Sequence, residues 1–261
     1  MSEQKPPVPR PKLAYKNEAF LDSPDARGLR MLSEYLEPLS HFRRQRIRDT
    51  IVFFGSARVQ EDGPLRQYYK DARKLAELVT TWAKTFRERI YRYVVCSGGG
   101  PGIMEAANRG AMDARGKTIG LNIGLPFEQF PNPYITGELS FEFHYFFMRK
   151  FWFAYLAKAL VVFPGGFGTM DELFEILTLV QTRKLAKKMT IILYGSAFWK
   201  EIINFDALVK YGTISSADME LFHFADSPES AMEILKHTLS DQASVTEGDV
   251  PAISHSARPG E

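Results

Sequence analysis

The chain has 261 residues, of which 45% are apolar, so it is long enough to bury a substantial hydrophobic core. Its 33 basic and 31 acidic side chains leave a formal net charge of +2, which argues against a protein that binds nucleic acid through a broad basic surface. The single cysteine excludes an intramolecular disulfide, and the polar, proline-rich first residues do not resemble a secretion signal. No apolar run is longer than a strand, so we expect a cytoplasmic protein without a membrane partner.

The N-terminal region precedes the regular pattern of the chain. Residues 1–24 are rich in proline and charge and have no hydrophobic period, so we expect a flexible arm. From residue 25 to about 49, apolar side chains recur at helical spacing, which predicts one or two helices interrupted near Pro38. The arginines that follow form either a solvated helix face or a contact with another subunit or an anion; they are Arg43, Arg44, Arg46 and Arg48.

Strands and helices alternate through the rest of the chain. Strands are predicted at 51–54, 91–96, 118–123, 159–163 and 189–193, and a short one near 221–224. Helices are predicted at 65–87, 103–114, 149–158, 170–182, 198–210 and 228–237, whereas the aromatic run 141–147 is ambiguous. This alternation predicts an α/β fold, a parallel sheet with helices on both faces and an N-terminal helical extension. We expect one domain over 25–240 and a flexible tail over 241–261.

Three glycine-rich turns follow predicted strands, at 55–58, 97–102 and 164–169. Parallel sheets bind ligands beyond the carboxyl ends of their strands, where the strand order reverses. One glycine cluster is weak evidence for a ligand site, but several in one sheet can line the same crevice.

The segment from Pro164 to Glu172 carries the strongest signal. It follows an apolar strand and opens a helix, where free amides, the helix dipole and the hydroxyl of Thr169 favour a phosphate. No lysine follows the last glycine as a Walker loop requires. The alternative is a tight turn without a ligand.

Glu172 has two interpretations. Thr169 and Glu172 have the spacing of a helix capping box, in which the glutamate would only bond the start of its own helix. In the functional interpretation, the Glu172 carboxylate faces the crevice and holds a ribose hydroxyl, orients water or stabilises positive charge. Asp171 and Glu175 flank it.

Two further segments supply candidate ligand contacts. Arg149 and Lys150 precede an aromatic-rich helix and suit a phosphate or carboxylate, or they are a positive pair at a surface helix start. Ser56 is a candidate donor to a phosphate or ribose oxygen, or a polar turn residue. Cys96 lies in an apolar strand and is interpreted as packing, and no side-chain cluster has the spacing of metal ligands.

Together these motifs resemble the LOG-like family, often labelled lysine decarboxylase-like. Its signature is a proline-glycine-glycine turn, any residue, glycine-threonine, two residues and glutamate, here Pro164 to Glu172. Upstream the family has methionine, two residues and arginine-lysine, or a shorter equivalent, here Met148 to Lys150, where the methionine directly precedes the arginine. The resemblance covers about residues 50–240 and points to the longer bacterial branch. We find no argument for a pyridoxal-binding lysine.

The resemblance implies a Rossmann-like, doubly wound fold and a phosphoribohydrolase that needs no cofactor or metal. It implies that Arg149 and Glu172 are the catalytic pair. It also implies substrate contacts by Ser56, Gly99, Gly100, Met148, Lys150, Gly165, Gly166, Phe167, Gly168, Thr169, Asp171 and Thr178, with Glu128 a further candidate. The expected partners are a nucleoside monophosphate and further copies of the chain in a homodimer or larger assembly, and no nucleic acid.

The implied reaction cleaves the N-glycosidic bond of AMP or of a cytokinin riboside 5′-monophosphate, releasing the base and ribose 5-phosphate. Breaking this bond builds positive charge on the ribose, which a carboxylate can stabilise. The alternative is a nucleotide or cofactor carrier that binds through the same turn without cleaving its ligand.

Overall fold

The computed structural model describes residues 10–86, 89–125, 130–185 and 187–240. Its helices are α1 (Glu18–Leu21), α2 (Arg27–Arg44), α3 (Arg66–Ala83), α4 (Ile103–Asp113), α5 (Phe146–Leu156), α6 (Phe167–Gln181), α7 (Ser196–Ile202), α8 (Phe205–Lys210) and α9 (Pro228–Ser240). Its strands are β1 (Thr50–Phe54), β2 (Val94–Ser97), β3 (Thr118–Ile123), β4 (Ser140–Phe143), β5 (Ala157–Val162), β6 (Thr190–Tyr194) and β7 (His223–Ala225).

The strands form one parallel sheet of seven strands in the order β4-β3-β2-β1-β5-β6-β7. From β1 the chain moves outward to β4, then returns and places β5 on the other side of β1. The strand order therefore reverses between β1 and β5, which is where a sheet of this type opens a ligand crevice. The predicted Rossmann-like, doubly wound fold is confirmed.

Both faces of the sheet are covered, which explains the continuous apolar runs of the central strands. All five residues of β1 are buried. Val52 and Phe54 pack into the core that contains Trp152 and Trp199, whereas Ile51 and Phe53 pack into the core beneath α3, α4 and α9. A strand that is buried on both faces has no polar alternation, as the sequence pattern indicated.

The predicted interruption at Pro38 is wrong, because α2 runs through this residue without a break. Proline has no backbone N–H and cannot bond the carbonyl of Glu34, four residues earlier. Trp152 supplies that donor from α5, since its indole Nε1 donates to the Glu34 carbonyl oxygen at 2.9 Å. A tertiary hydrogen bond thus replaces the missing helical one.

Other boundaries differ from the sequence pattern for local reasons. The predicted helix over 198–210 is two helices, because Asn204 caps α8 through the amide of Ala207. The ambiguous segment 141–147 divides between β4 and α5. The predicted N-terminal arm contains a helical turn at Ala14–Lys16 and the short helix α1. The tail over 241–261 lies outside the described residues, so its flexibility stays a prediction.

None of the helices in the described ranges is long and apolar enough to cross a membrane.

Candidate active site

The three glycine-rich turns meet where the strand order reverses. The amide of Ser56 donates to the carbonyl of Pro164 at 3.0 Å, and the amide of Ile103 donates to the carbonyl of Ser56 at 3.2 Å. Gly102 has a φ of +70°, and a Cβ there would lie 2.4 Å from the Ser56 carbonyl oxygen. This close backbone approach requires glycine and joins the turns after β1 and β2.

A cleft of about 690 Å³ opens above these turns. Its walls come from the turns after β1, β2 and β5, the end of β3, and the starts of α4, α5 and α6. We call this cavity the cleft. Its volume is in the range of pockets that hold a small-molecule ligand.

The start of α6 presents unbonded amides at the cleft. Gly166 is the N-cap and its helix has no side-chain cap. The amides of Phe167, Gly168 and Thr169 find no acceptor among the residues that the structure describes. Such amides, together with the positive end of the helix dipole, favour an anion.

The capping interpretation of Glu172 is wrong. Because α6 begins at Phe167, Glu172 lies in the body of the helix and not at its third position. The residue is only 8% exposed, and its carboxylate makes no hydrogen bond or ion pair with any described residue. Burial raises the pKa of Glu172 to about 7, against the opposing charges of Lys150 and Arg149.

Arg149 lines the cleft from the first turn of α5. Its Nε donates to the carbonyl of Leu121 at 2.8 Å, and its guanidinium lies 5.1 Å from the centre of the Phe153 ring. Burial lowers the pKa of Arg149, and the nearby Glu172 carboxylate acts in the opposite direction. These contacts hold the guanidinium in a fixed position at the cleft wall.

Lys150 connects α5 to α6 beside the cleft without lining it. Its Nζ lies 2.7 Å from the carboxylate of Asp171 and 2.6 Å from that of Glu175. The lysine therefore acts on Glu172 through its charge.

The structure brings most of the predicted site residues together. The members that line the cleft are Ser56, Arg149, Gly166, Phe167, Gly168, Thr169, Asp171 and Glu172. The Ser56 hydroxyl also accepts a hydrogen bond from the amide of Arg58, which shapes the turn after β1.

Other predicted contacts are not brought to the cleft. Asn132 donates to the carbonyls of Gly99 and Gly100, and Gly98 is the residue of this turn that lines the cleft. Thr178 is exposed further along α6, where its hydroxyl donates to the carbonyl of Phe174.

Two more predicted residues are held close to the site without lining it. Met148 packs against the hydrophobic core, and Gly165 lies so close to Thr169 that a Cβ would be 2.1 Å from its hydroxyl oxygen. The remaining candidate, Glu128, lies outside the described residues.

Sequence reasoning missed several lining residues. Arg58 could have been identified from the sequence, because it belongs to the glycine turn after β1, at the point where the strand order reverses. The apolar wall had no distinguishing pattern, since its members lie on four different elements or loops; they are Met104, Ile123, Leu125 and Phe146.

Cysteine chemistry is not favoured at this site. Cys96 is buried in β2, and burial raises the pKa of its thiol far above the usual range. In the described part of the chain, no group of three or more histidine, cysteine or acidic side chains has the arrangement of a metal site.

Comparison with known proteins agrees with this arrangement. Residues 104–235 match a family model described as possible lysine decarboxylase. A curated relative, the cytokinin riboside 5′-monophosphate phosphoribohydrolase LOG of Oryza sativa subsp. japonica, is 29% identical over 177 residues. That alignment covers 66% of this chain and 66% of the relative, just under two thirds of its length.

Solved structures with 20–21% identity support the fold. The X-ray structure of TM1055 has a TM-score of 0.52, covering 72% of this chain and 99% of that one. The Moco carrier protein from Chlamydomonas reinhardtii has a TM-score of 0.50, covering 74% and 99%. The matched family model and the paired arginine and glutamate motifs show that this chain belongs to the LOG family, whose model carries the description possible lysine decarboxylase.

Proposed function

We propose that the protein hydrolyses the N-glycosidic bond of a nucleoside 5′-monophosphate, either AMP or a cytokinin riboside 5′-monophosphate. The products are the free base and ribose 5-phosphate. The observation that carries the proposal is the buried, unpaired Glu172 carboxylate in the same cleft as the unbonded amides of α6. The name of the rice relative, which belongs to the same family, supports the choice of substrate class.

The 5′-phosphate binds at the start of α6 in this proposal. Three amides without acceptors and the helix dipole attract its charge, and Arg58 adds a cation from the turn after β1. The phosphate is remote from the bond that breaks, so its binding energy positions the ribose for reaction.

The carboxylate of Glu172 acts at the ribose. As the bond between C1′ and the base breaks, its electron pair leaves with the base and positive charge develops on the ribose. Glu172 stabilises this charge, and water then adds its hydroxyl to C1′ while its proton goes to the departing base. Arg149 favours the ionised form of Glu172, because a nearby cation opposes the effect of burial on the pKa of Glu172.

The apolar wall of the cleft contacts the base in this proposal. Met104, Ile123, Leu125 and Phe146 offer a surface for a flat adenine or for an adenine with a prenyl group. A panel of AMP, other monophosphates and prenylated riboside monophosphates distinguishes these substrates, and a prenyl preference would appear in kcat/KM.

Self-association is also part of the proposal. Three aromatic side chains of α5 follow one another at helical spacing and are exposed, Phe147 by 50%, Phe151 by 36% and Tyr155 by 37%. Exposed apolar patches of this kind mark interaction sites. We infer that a second copy of the chain covers them.

The test is incubation with AMP followed by chromatography. Wild type is expected to release adenine and ribose 5-phosphate, and Glu172→Gln is expected to bind AMP but to lose turnover by at least about 1000-fold. A wild-type protein that binds AMP, prenylated riboside monophosphates and other monophosphates without cleaving any of them would favour a carrier instead.

A further inference from the structure

A second cavity, of about 790 Å³, lies at the edge of the sheet opposite to the cleft. Its walls come from the segments that follow α2, α3 and α4 and lead into the amino ends of β1, β2 and β3. We call it the basic pocket after its cationic lining residues, which are Arg46, Lys84, Arg89, Arg92, Arg115 and Lys117.

Positive charge dominates this cavity. No described lining residue is acidic. Arg92 is neutralised by the buried Asp49, at 3.0 Å, but the other five cations form no ion pair with a described carboxylate. The whole chain has a net charge of only +2, so this concentration is local.

Tyr91 contacts Lys117 through its ring and the backbone of Arg46 through its amide. The Nζ of Lys117 lies 4.1 Å from the centre of the Tyr91 ring, and the Tyr91 amide donates to the Arg46 carbonyl at 2.8 Å. Burial lowers the pKa of Lys117, Glu138 opposes this effect, and the charge of Arg46 adds to it. Like charges that line one cavity suit a multiply charged anion.

The backbone provides an independent observation. Arg46 and Arg115 have φ values of 57° and 55°, in the left-handed region that favours glycine. Each directly follows the carboxyl end of a helix, where glycine is the usual residue. Glycine would suit the backbone better than arginine at both positions, so replacing either arginine by glycine removes the side chain without disturbing the fold.

We propose that the basic pocket binds a small anion carrying at least two phosphate groups. Its cations come from three separate segments, so they can surround one oligophosphate chain, and its volume accommodates a nucleoside triphosphate as well as an inorganic polyphosphate. The site is separate from the cleft, so the protein would hold two different phosphorylated ligands.

The chain offers a matched control. Arg183 follows α6 with a φ of 56°, in the same position relative to its helix as Arg46 and Arg115, but it does not line the basic pocket. If the arginines only interacted with helix dipoles, glycine substitutions at all three positions would have the same effect on anion binding.

The experiment is calorimetric titration with inorganic tripolyphosphate and with ATP, using adenosine as the uncharged comparison. Arg46→Gly and Arg115→Gly are each expected to weaken tripolyphosphate binding by about tenfold, while Arg183→Gly has no effect. Because glycine suits these positions, none of the three variants should have a lower melting temperature than wild type.

Arg58→Ala, in the cleft, should leave this binding unchanged. The proposal is overturned if wild type does not bind tripolyphosphate, if Arg183→Gly loses as much affinity as the other two, or if Arg58→Ala abolishes all binding. A single-stranded oligonucleotide that competes more tightly than tripolyphosphate would also overturn it. ATP binding without tripolyphosphate binding would contradict recognition through phosphate.

Discussion

At the residue scale, the buried charge of Glu172 has a consequence for stability. Burial raises the pKa of this carboxyl to about 7, above the value of about 4.3 in an unfolded chain. The folded state therefore holds the proton more tightly. The resulting contribution to stability is present in full below the unfolded pKa and is lost as the pH rises through 7.

Glu172→Gln should accordingly stabilise the protein at pH 8. The gain is on the order of 2–3 kcal/mol there and falls below about 1 kcal/mol near pH 5, because the native glutamate is then mostly protonated. Urea unfolding at the two pH values measures it. Glu175→Gln, which removes an ion pair with Lys150, should give no such gain. Equal stability of Glu172→Gln and wild type at pH 8 would contradict the burial argument.

The same pKa sets the expected pH dependence of catalysis. If the reaction needs the Glu172 carboxylate, kcat/KM for AMP rises with pH through about 7 and then levels off. Lys150 opposes the effect of burial, so Lys150→Met should shift this rise to higher pH. The phosphate of AMP also titrates near pH 6. If the phosphate controlled the pH profile, Lys150→Met would leave the profile unchanged. A profile that falls through pH 7 would indicate a general acid.

Sequence reasoning identified Glu172 and Arg149 as site residues but did not identify all the residues around them. Glu172 and Arg149 were found from motif spacing and family resemblance, and the cleft contains both. Gly99 and Gly100 do not line the cleft, and the hydrogen bonds that cover their carbonyls come from Asn132, more than thirty positions away. Neither motif nor period predicts such a contact.

At the element scale, helix α2 depends on a bond from another helix. The Glu34 carbonyl, left without a donor by Pro38, accepts from the indole of Trp152. Sequence periodicity predicted a helix here but placed an interruption at the proline, because a period carries no information about a donor on α5. The strands were easier to predict, since full burial on two faces produces unmistakable apolar runs.

We expect Trp152→Phe to cost about 1–3 kcal/mol through loss of the hydrogen bond, in addition to the change in packing. In a Pro38→Ala background the cost should be smaller, because this substitution restores the backbone N–H that can bond the Glu34 carbonyl. A double-mutant cycle from chemical denaturation gives the coupling energy. Equal costs in both backgrounds would show that the indole contributes through packing alone.

At the scale of the whole molecule, the sheet topology creates the cleft. Strand order reverses between β1 and β5, and the glycine turns after β1, β2 and β5 meet there. Alternation of strands and helices predicted the sheet. The glycines at the strand ends predicted that the ligand site lies at the carboxyl ends of the strands. The order of the strands was not in the pattern, because it is decided by tertiary packing.

The proposed self-association makes a prediction at this scale. Phe151→Asp should convert an oligomer to a monomer, because a charge on the exposed face of α5 would be buried without a partner. Sedimentation velocity measures the change. Tyr211→Ser removes an aromatic that is 77% exposed elsewhere and should leave the assembly intact. A wild-type protein that sediments as a monomer would exclude this role for the face.

The central claim is that the start of α6 binds a phosphate while Glu172 faces the sugar attached to it. A crystal structure of Glu172→Gln with AMP tests it most directly. We expect the 5′-phosphate on the amides of 167–169 and C1′ of the ribose next to the side chain at position 172. A nucleotide bound away from these amides, or a side chain at 172 that points away from the ribose, would contradict the account.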